Sequence, residues 1–272
     1  MPEPQIIRES SGVVAVWKPA GLATQAPPGI PSVEAWLRQA LHGQAMNGYL
    51  GVPHRLDRSV SGVVLFASTP RAARKLSRQF ERRQVSKSYR AIVAPAEAAG
   101  EAVEAIVRAA GEPGGTADGT PAGTVTWRDR LEKLPAEARA RIVAADEPGG
   151  REAVTIVSLL RRLPADRLLL ELSPVTGRMH QLRLQAAARG MPIVGDDLYG
   201  VPDPAWNRSW TGQIRAGIAV VADSDDQRTQ PIALHACRIT YADPDTGEAV
   251  TIEAALPAYW PESARTGESD QA

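Results

Sequence analysis

Apolar and polar positions along the chain fall into short segments whose spacing predicts an alternation of strands and helices. IIRE and VVAVW, near Ile6 and Val13, read as two strands joined by a Ser-Gly turn. A Lys18-Pro19-Ala20-Gly21 turn and a Pro-rich loop through Pro31 follow. Ser32 can cap a helix whose apolar positions, Val33, Trp36, Leu37 and Leu41, recur at helical spacing. The unbroken apolar GVVLFA from Gly62 fits a strand covered on both faces. Thr69-Pro70 then reads as an N-cap and a proline at the first helical position, with Ala73, Leu76 and Phe80 on one face. KSYRAIVA from Lys87 predicts another strand, as do AVTIVSLL and RLLLELSP further on. TGRMHQLRLQAAARG, from Thr176, has an Ala-rich middle and Gly190 past its end, which marks a helix. CRITYA and AVTIEA flank a turn at Asp243–Gly247 and predict a hairpin.

Two stretches lack such a pattern. From Ala96 to about Gly123 the chain is rich in Ala, Glu and Gly and is expected to be a loop or insertion with short edge strands. Val201 to Gln230 is a long polar segment carrying Trp206 and Trp210. No repeat and no clear linker divides the 272 residues, so residues 1–261 are expected to form one domain and 262–272 a flexible tail.

Composition narrows the setting. Hydrophobic residues make up 43% of the chain, enough for an ordinary core. The start has neither the basic nor the apolar region of a secretory signal, and no apolar run nears the roughly 18 residues that span a membrane. A single cysteine, Cys237, excludes an internal disulfide, so a cytoplasmic setting is expected.

The formal net charge is +0, which speaks against a uniformly basic nucleic-acid binder, yet the charge is unevenly spread. Arg71 to Arg90 holds eight bases against Glu81, a local 8 − 1 = +7, leaving −7 for the remainder. A basic stripe of this kind suits a phosphate backbone.

Three blocks carry candidate chemistry: HRLDRSVSG at 54–62, KSY at 87–89 and TGRMHQLRLQ at 176–185. Taken singly each has an ordinary reading. A loop aspartate between arginines is most often a solvated ion pair, a strand tyrosine packs, and a charged helix face meets water. No GxSxG elbow, GxGxxG, P-loop, HExxH or CxxC spacing is present, so no nucleotide cofactor or metal is expected.

Together and in this order, the blocks resemble the RluA-type pseudouridine synthases, enzymes that convert uridine in structured RNA to its C-glycoside isomer. The resemblance runs from about Ile6 to Trp260. It includes VWKPAGL, HRLDRSVSGVVLFA, KSYRAIV, EAVT, SPVTGRMHQLRLQAAARGMPIVGDDLYG, LHACRITYADPDTGE and LPAYW. It implies an α+β fold, a mixed and mostly antiparallel sheet flanked by helices and loops, no cofactor, and a structured RNA substrate, ribosomal or transfer RNA, handled by a monomer.

It also implies roles. Asp57 matches the essential carboxylate, Tyr89 the aromatic that packs on the target base, and Arg183 the cation paired with Asp57. Arg55 matches a position that fills the gap left by a flipped nucleotide. His54, Arg58, Lys87, Arg178, His180 and Gln181 are expected RNA contacts, with Arg74, Arg78 and Arg82 as phosphate contacts on the basic helix. Met179 stands where Thr is common, and Asp197 where Pro is common. No small S4-type domain is expected ahead of Lys18. A non-catalytic RNA-binding or ribosome-assembly factor on the same fold is the alternative. A glycosidase-like hydrolase would need a second acid beside Asp57, and the blocks supply none.

Overall fold

The computed structural model describes residues 3–42, 48–111, 121–201, 203, 206 and 230–265. It is an α+β protein whose chain divides into two compact units, residues 1–87 with 207–259, and 88–206 with 260–272. The sequence reading drew a single unit over 1–261. The first compact unit includes a segment returning from beyond residue 206.

In the first unit β1 (Gln5–Ser10), β2 (Val13–Lys18) and β3 (Ser61–Ala67) pair antiparallel in sequence order of neighbours. Every residue of β3 is buried, as its continuous apolar run predicts. Helix α1 (Val33–His42) begins where Ser32 Oγ accepts from the Ala35 amide at 3.1 Å. Helix α2 (Pro70–Glu81) has Thr69 as its N-cap and buries Ala72, Ala73, Leu76 and Gln79. Ala72, Ala73 and Leu76 pack in one apolar cluster with Val13, Ala15, Val63, Leu65 and Ile239.

β4 (Ser86–Val93) carries the chain into the second unit. There a 3-10 turn (Glu97–Ala99) and helix α3 (Gly100–Gly111) occupy the stretch expected to be a loop with edge strands. Two strands without a clear sequence signal, β5 (Thr124–Lys133) and β6 (Ala140–Val143), form an antiparallel pair. β7 (Arg151–Leu163) lies between β5 and β8 (Arg167–Pro174), and β8 also pairs with β4, all antiparallel. Helix α4 (Gln181–Ala188) closes with Gly190 at φ 68°.

The hairpin β9 (Leu234–Ala242) and β10 (Ala249–Glu253) belongs to the first unit. β9 meets β3 in parallel over Ser61–Gly62, so the sheet is mixed but mostly antiparallel. A Cβ on Gly62 would lie 2.3 Å from the Ala236 carbonyl oxygen, and its φ of +122° is open to glycine alone. The tail expected from 262 begins as a short helix, Glu262–Arg265, and its remainder lies outside the described residues. So does the Val201–Gln230 segment, apart from Val201, Asp203, Trp206 and Gln230. No described helix is long and apolar enough to cross a membrane.

Candidate active site

Asp57 sits on a loop clasped on both flanks by the turn after β2. Alternation along β2 puts Lys18 in register with Val14 and Val16, and like them it is wholly buried. Its ammonium donates to three carbonyl oxygens, Leu22 at 2.7 Å, Pro19 at 2.8 Å and Arg58 at 3.2 Å. Gly21 and Arg58 bond reciprocally: the Gly21 amide donates to the Arg58 carbonyl at 2.7 Å, and Arg58 Nε to the Gly21 carbonyl at 2.9 Å. On the other flank Thr24 Oγ1 bonds both the carbonyl and the amide of Leu56, at 2.9 and 3.1 Å. The aspartate backbone is thus fixed at the residue before it and the residue after it.

Lys18 has no assigned role in the sequence, yet a lysine on a buried strand face is a visible signal. Burial pulls its pKa down to about 7, against the charge of Asp57, which raises it, while Arg58 lowers it further.

Upstream, the extended segment alternates sides. Arg55 is exposed and Leu56 buried, while His54 turns inward. His54 Nε2 accepts the Leu65 amide of β3 at 2.9 Å, and its ring stacks on Phe80 at 4.5 Å. Burial first, and then the Lys87 charge, lower its pKa to about 3, so the ring is neutral. One ring nitrogen expected to meet RNA is therefore spent on the sheet. Downstream, Ser61 and His235, both buried, share a hydrogen bond of 2.8 Å, and His235 Nε2 reaches the Ala254 carbonyl at 3.1 Å. That pair and Gly62 give the SVSG sequence its place at the β3–β9 junction.

The basic helix α2 divides by face. Arg71 pairs with Asp245 at 2.9 Å and Lys75 bonds the Pro244 carbonyl, fastening the helix to the β9–β10 turn. Gln79 adds two bonds of 2.8 Å to the backbone of Ala242. Arg74, Arg78 and Arg82 are exposed, and among the described residues none has a carboxylate within ion-pair distance. Their four-residue spacing sets them about 6 Å apart along the helix. Lys87 is half-buried, and burial lowers its pKa.

The second unit holds the remaining expected residues. Tyr89, half-buried on β4, stands opposite Leu172 of β8. Gln181 is buried, and its amide is spent inside the protein. Its carbonyl accepts from Thr176 Oγ1 at 2.7 Å and the Arg178 amide at 3.0 Å, and its Nε2 donates to the Val154 carbonyl and Thr155 Oγ1. Gln185, one turn later, bonds Thr155, Asp129 and Ala153. These two glutamines bolt α4 to β5 and β7. Arg178 is half-buried, with Nε donating to the Glu152 carbonyl at 3.0 Å.

Arg183 is buried with a partner the sequence reading did not foresee. Nε and Nη2 each lie 2.7 Å from a carboxylate oxygen of Asp196, a two-pronged pair with 8% and 1% of the side chains exposed. Tyr199 lies under the guanidinium at 5.4 Å and holds His180 Nδ1 at 2.9 Å through its hydroxyl. Asp197, at the position where Pro is common, has a buried Oδ1 without a hydrogen-bond partner, and burial followed by the Asp196 charge raises its pKa.

The loop-mounted carboxylate of Asp57, buried Lys18 and the exposed arginines of α2 all lie in the first unit of this α+β fold. The family model described as RNA pseudouridylate synthase matches residues 12–188. The chain is 30% identical over 258 residues to ribosomal large subunit pseudouridine synthase C of Rickettsia bellii, covering 94% of this chain and 69% of that one. It is 29% identical to the dual-specificity RNA pseudouridine synthase RluA of Haemophilus influenzae, covering 92% and 91%. The solved structure of human RNA pseudouridylate synthase domain containing 4 superposes with a TM-score of 0.64 at 20% identity, over 93% of this chain and 89% of that one, a likeness of fold. The chain belongs to the RNA pseudouridylate synthase family, RluA type. Several other relatives are longer, and the chain spans 55 to 60% of their length.

Proposed function

We propose that this chain isomerises uridine in ribosomal RNA to pseudouridine, with Asp57 as the catalytic carboxylate. The observation that carries this reading is the clasp around Asp57, with Lys18 buried beside it. The relatives' names, which specify ribosomal large subunit and RNA substrates, support the choice of RNA.

The reaction breaks an N-glycosidic bond, turns the uracil over and forms a carbon–carbon bond at the same anomeric carbon. Atoms and electrons balance without redox change or net water. An ionised carboxylate serves either route, attack on the anomeric carbon or removal of a sugar proton to give a glycal. Lys18 lies buried next to this loop, and Arg183 is our choice for the cation acting with Asp57. A uridine inside folded RNA has to be extruded, at a cost of a few kcal/mol. Exposed Arg55 offers a planar guanidinium for the vacated place, and Tyr89 a flat face for uracil, a stacking worth about 1–3 kcal/mol per base. Arg74, Arg78 and Arg82 supply phosphate contacts that carry little sequence information. The protein acts as a cytoplasmic monomer in this reading.

Mapping pseudouridine across total RNA from cells with and without the gene tests the proposal. Loss of one or more ribosomal RNA sites is expected. An unchanged map would overturn it in favour of the non-catalytic assembly factor.

A further inference from the structure

The turn Gly195–Gly200 explains how α4 can carry a buried cation in its first turn, the positive end of the helix dipole, where a cation is disfavoured. Asp196 Oδ1 accepts the amides of Leu198 and Tyr199 at 3.1 and 3.3 Å, so its own backbone fixes the carboxylate before Arg183 arrives. The fork from Arg183 then has one geometry open to it. A buried ion pair is a poor source of stability, because apolar residues of equal volume do as well or better. Two further contacts converge on the same turn. The Tyr199 ring lies under the guanidinium, and its hydroxyl meets His180 Nδ1. That hydroxyl also accepts the Ala140 amide at 2.9 Å, which leaves its proton best placed toward Nδ1. His180 is held at φ 52°, a strained conformation with no side-chain cap bond of its own.

We propose that Asp196 and Tyr199 are positioning residues, a single turn that sets the direction of Arg183 and selects the Nε2–H tautomer of His180 for work on RNA. Neither touches the reacting atoms. The idea rests on the assignment of Arg183 to the reaction.

The test measures kcat and KM on ribosomal RNA from cells lacking the gene. Asp196→Asn is expected to lower kcat about ten- to hundredfold with KM within about threefold, the size of effect a displacement of about 1 Å produces. In an Arg183→Lys background the same change should cost under about threefold, since the fork is already gone. Asp196→Glu keeps the charge on a longer arm and serves with the same expected loss if the Asn variant does not fold. Nitrogen-15 NMR of the imidazole should show Nε2–H in the wild type and mixed tautomers in Tyr199→Phe. Wild-type kcat in the Asp196 variants, additive losses in the Arg183→Lys background, or an Nδ1–H wild-type ring would overturn the proposal while leaving the enzyme assignment standing. A wild-type protein that converts no uridine would overturn both.

Discussion

His54 shows how far a residue's environment can depart from its motif. In HRLD it reads as a polar loop residue, yet its Nε2 is the acceptor for an amide of β3, a duty only the neutral ring can perform. Its folded pKa of about 3 lies below the ordinary 6.5, so between those values the unfolded chain binds the extra proton. Stability from this group is full above pH 6.5 and is lost as pH falls toward 3, by about 1.4 kcal/mol per pH unit at most. Thermal unfolding at pH 7 and pH 5 should show a drop for the wild type that is smaller in His54→Gln; equal drops would remove the ring from this role. Gly62 makes a sharper case. Its positive φ and the 2.3 Å approach to Ala236 oxygen predict that Gly62→Ala costs at least ~2 kcal/mol in urea unfolding, and a wild-type midpoint would contradict that. The loop position of Asp57 just ahead of the buried β3 was legible from the sequence. Lys18, Asp196 and the inward turn of Gln181 were not, because burial and hydrogen-bond partners far along the chain decide them.

At the scale of elements, α2 was readable almost to the residue. A capping threonine, a proline at its start and an apolar face all agree on the same helix. Its bases looked alike in the sequence, but the fold sorts them. Arg71 and Lys75 hold the hairpin, while Arg74, Arg78 and Arg82 face solvent. Replacing those three with Ala should weaken RNA binding and reduce the slope of log affinity against log salt by roughly 2–3, close to one counterion per phosphate contact. An unchanged slope in filter binding would take the stripe off the RNA surface. α3 was missed because weak amphipathicity among Ala and Glu resembles a linker; Val103, Ile106 and Val107 do follow helical spacing, with Ile106 buried. β5 and β6 were missed for another reason. Charged residues such as Arg128, Arg130 and Glu132 interrupt the apolar alternation that marks a strand, and pairing with β7 supplies the order instead.

For the whole molecule, the fold class and the family were both legible through the resemblance that three motif blocks in order carry, while spacing alone gave only strands and helices interspersed along the chain. Residues 207–259 join the unit that starts at the N-terminal end, a long-range closure that local spacing does not carry. The family match, ending at residue 188, likewise stops before the hairpin that buries Ile239 and Tyr241 in the first unit's core. The balance of 31 basic and 31 acidic side chains hides a +7 segment at Arg71–Arg90, the charge an RNA would meet. The central claim is that Asp57 does the chemistry and that the remainder of the chain presents a uridine to it. Single-turnover assay of wild type and Asp57→Asn on ribosomal RNA from cells lacking the gene tests this most directly. Pseudouridine should form with the wild type and fall by at least about a thousandfold with the variant, while RNA affinity and thermal stability stay near wild type; turnover by Asp57→Asn at a near-normal rate would contradict the account.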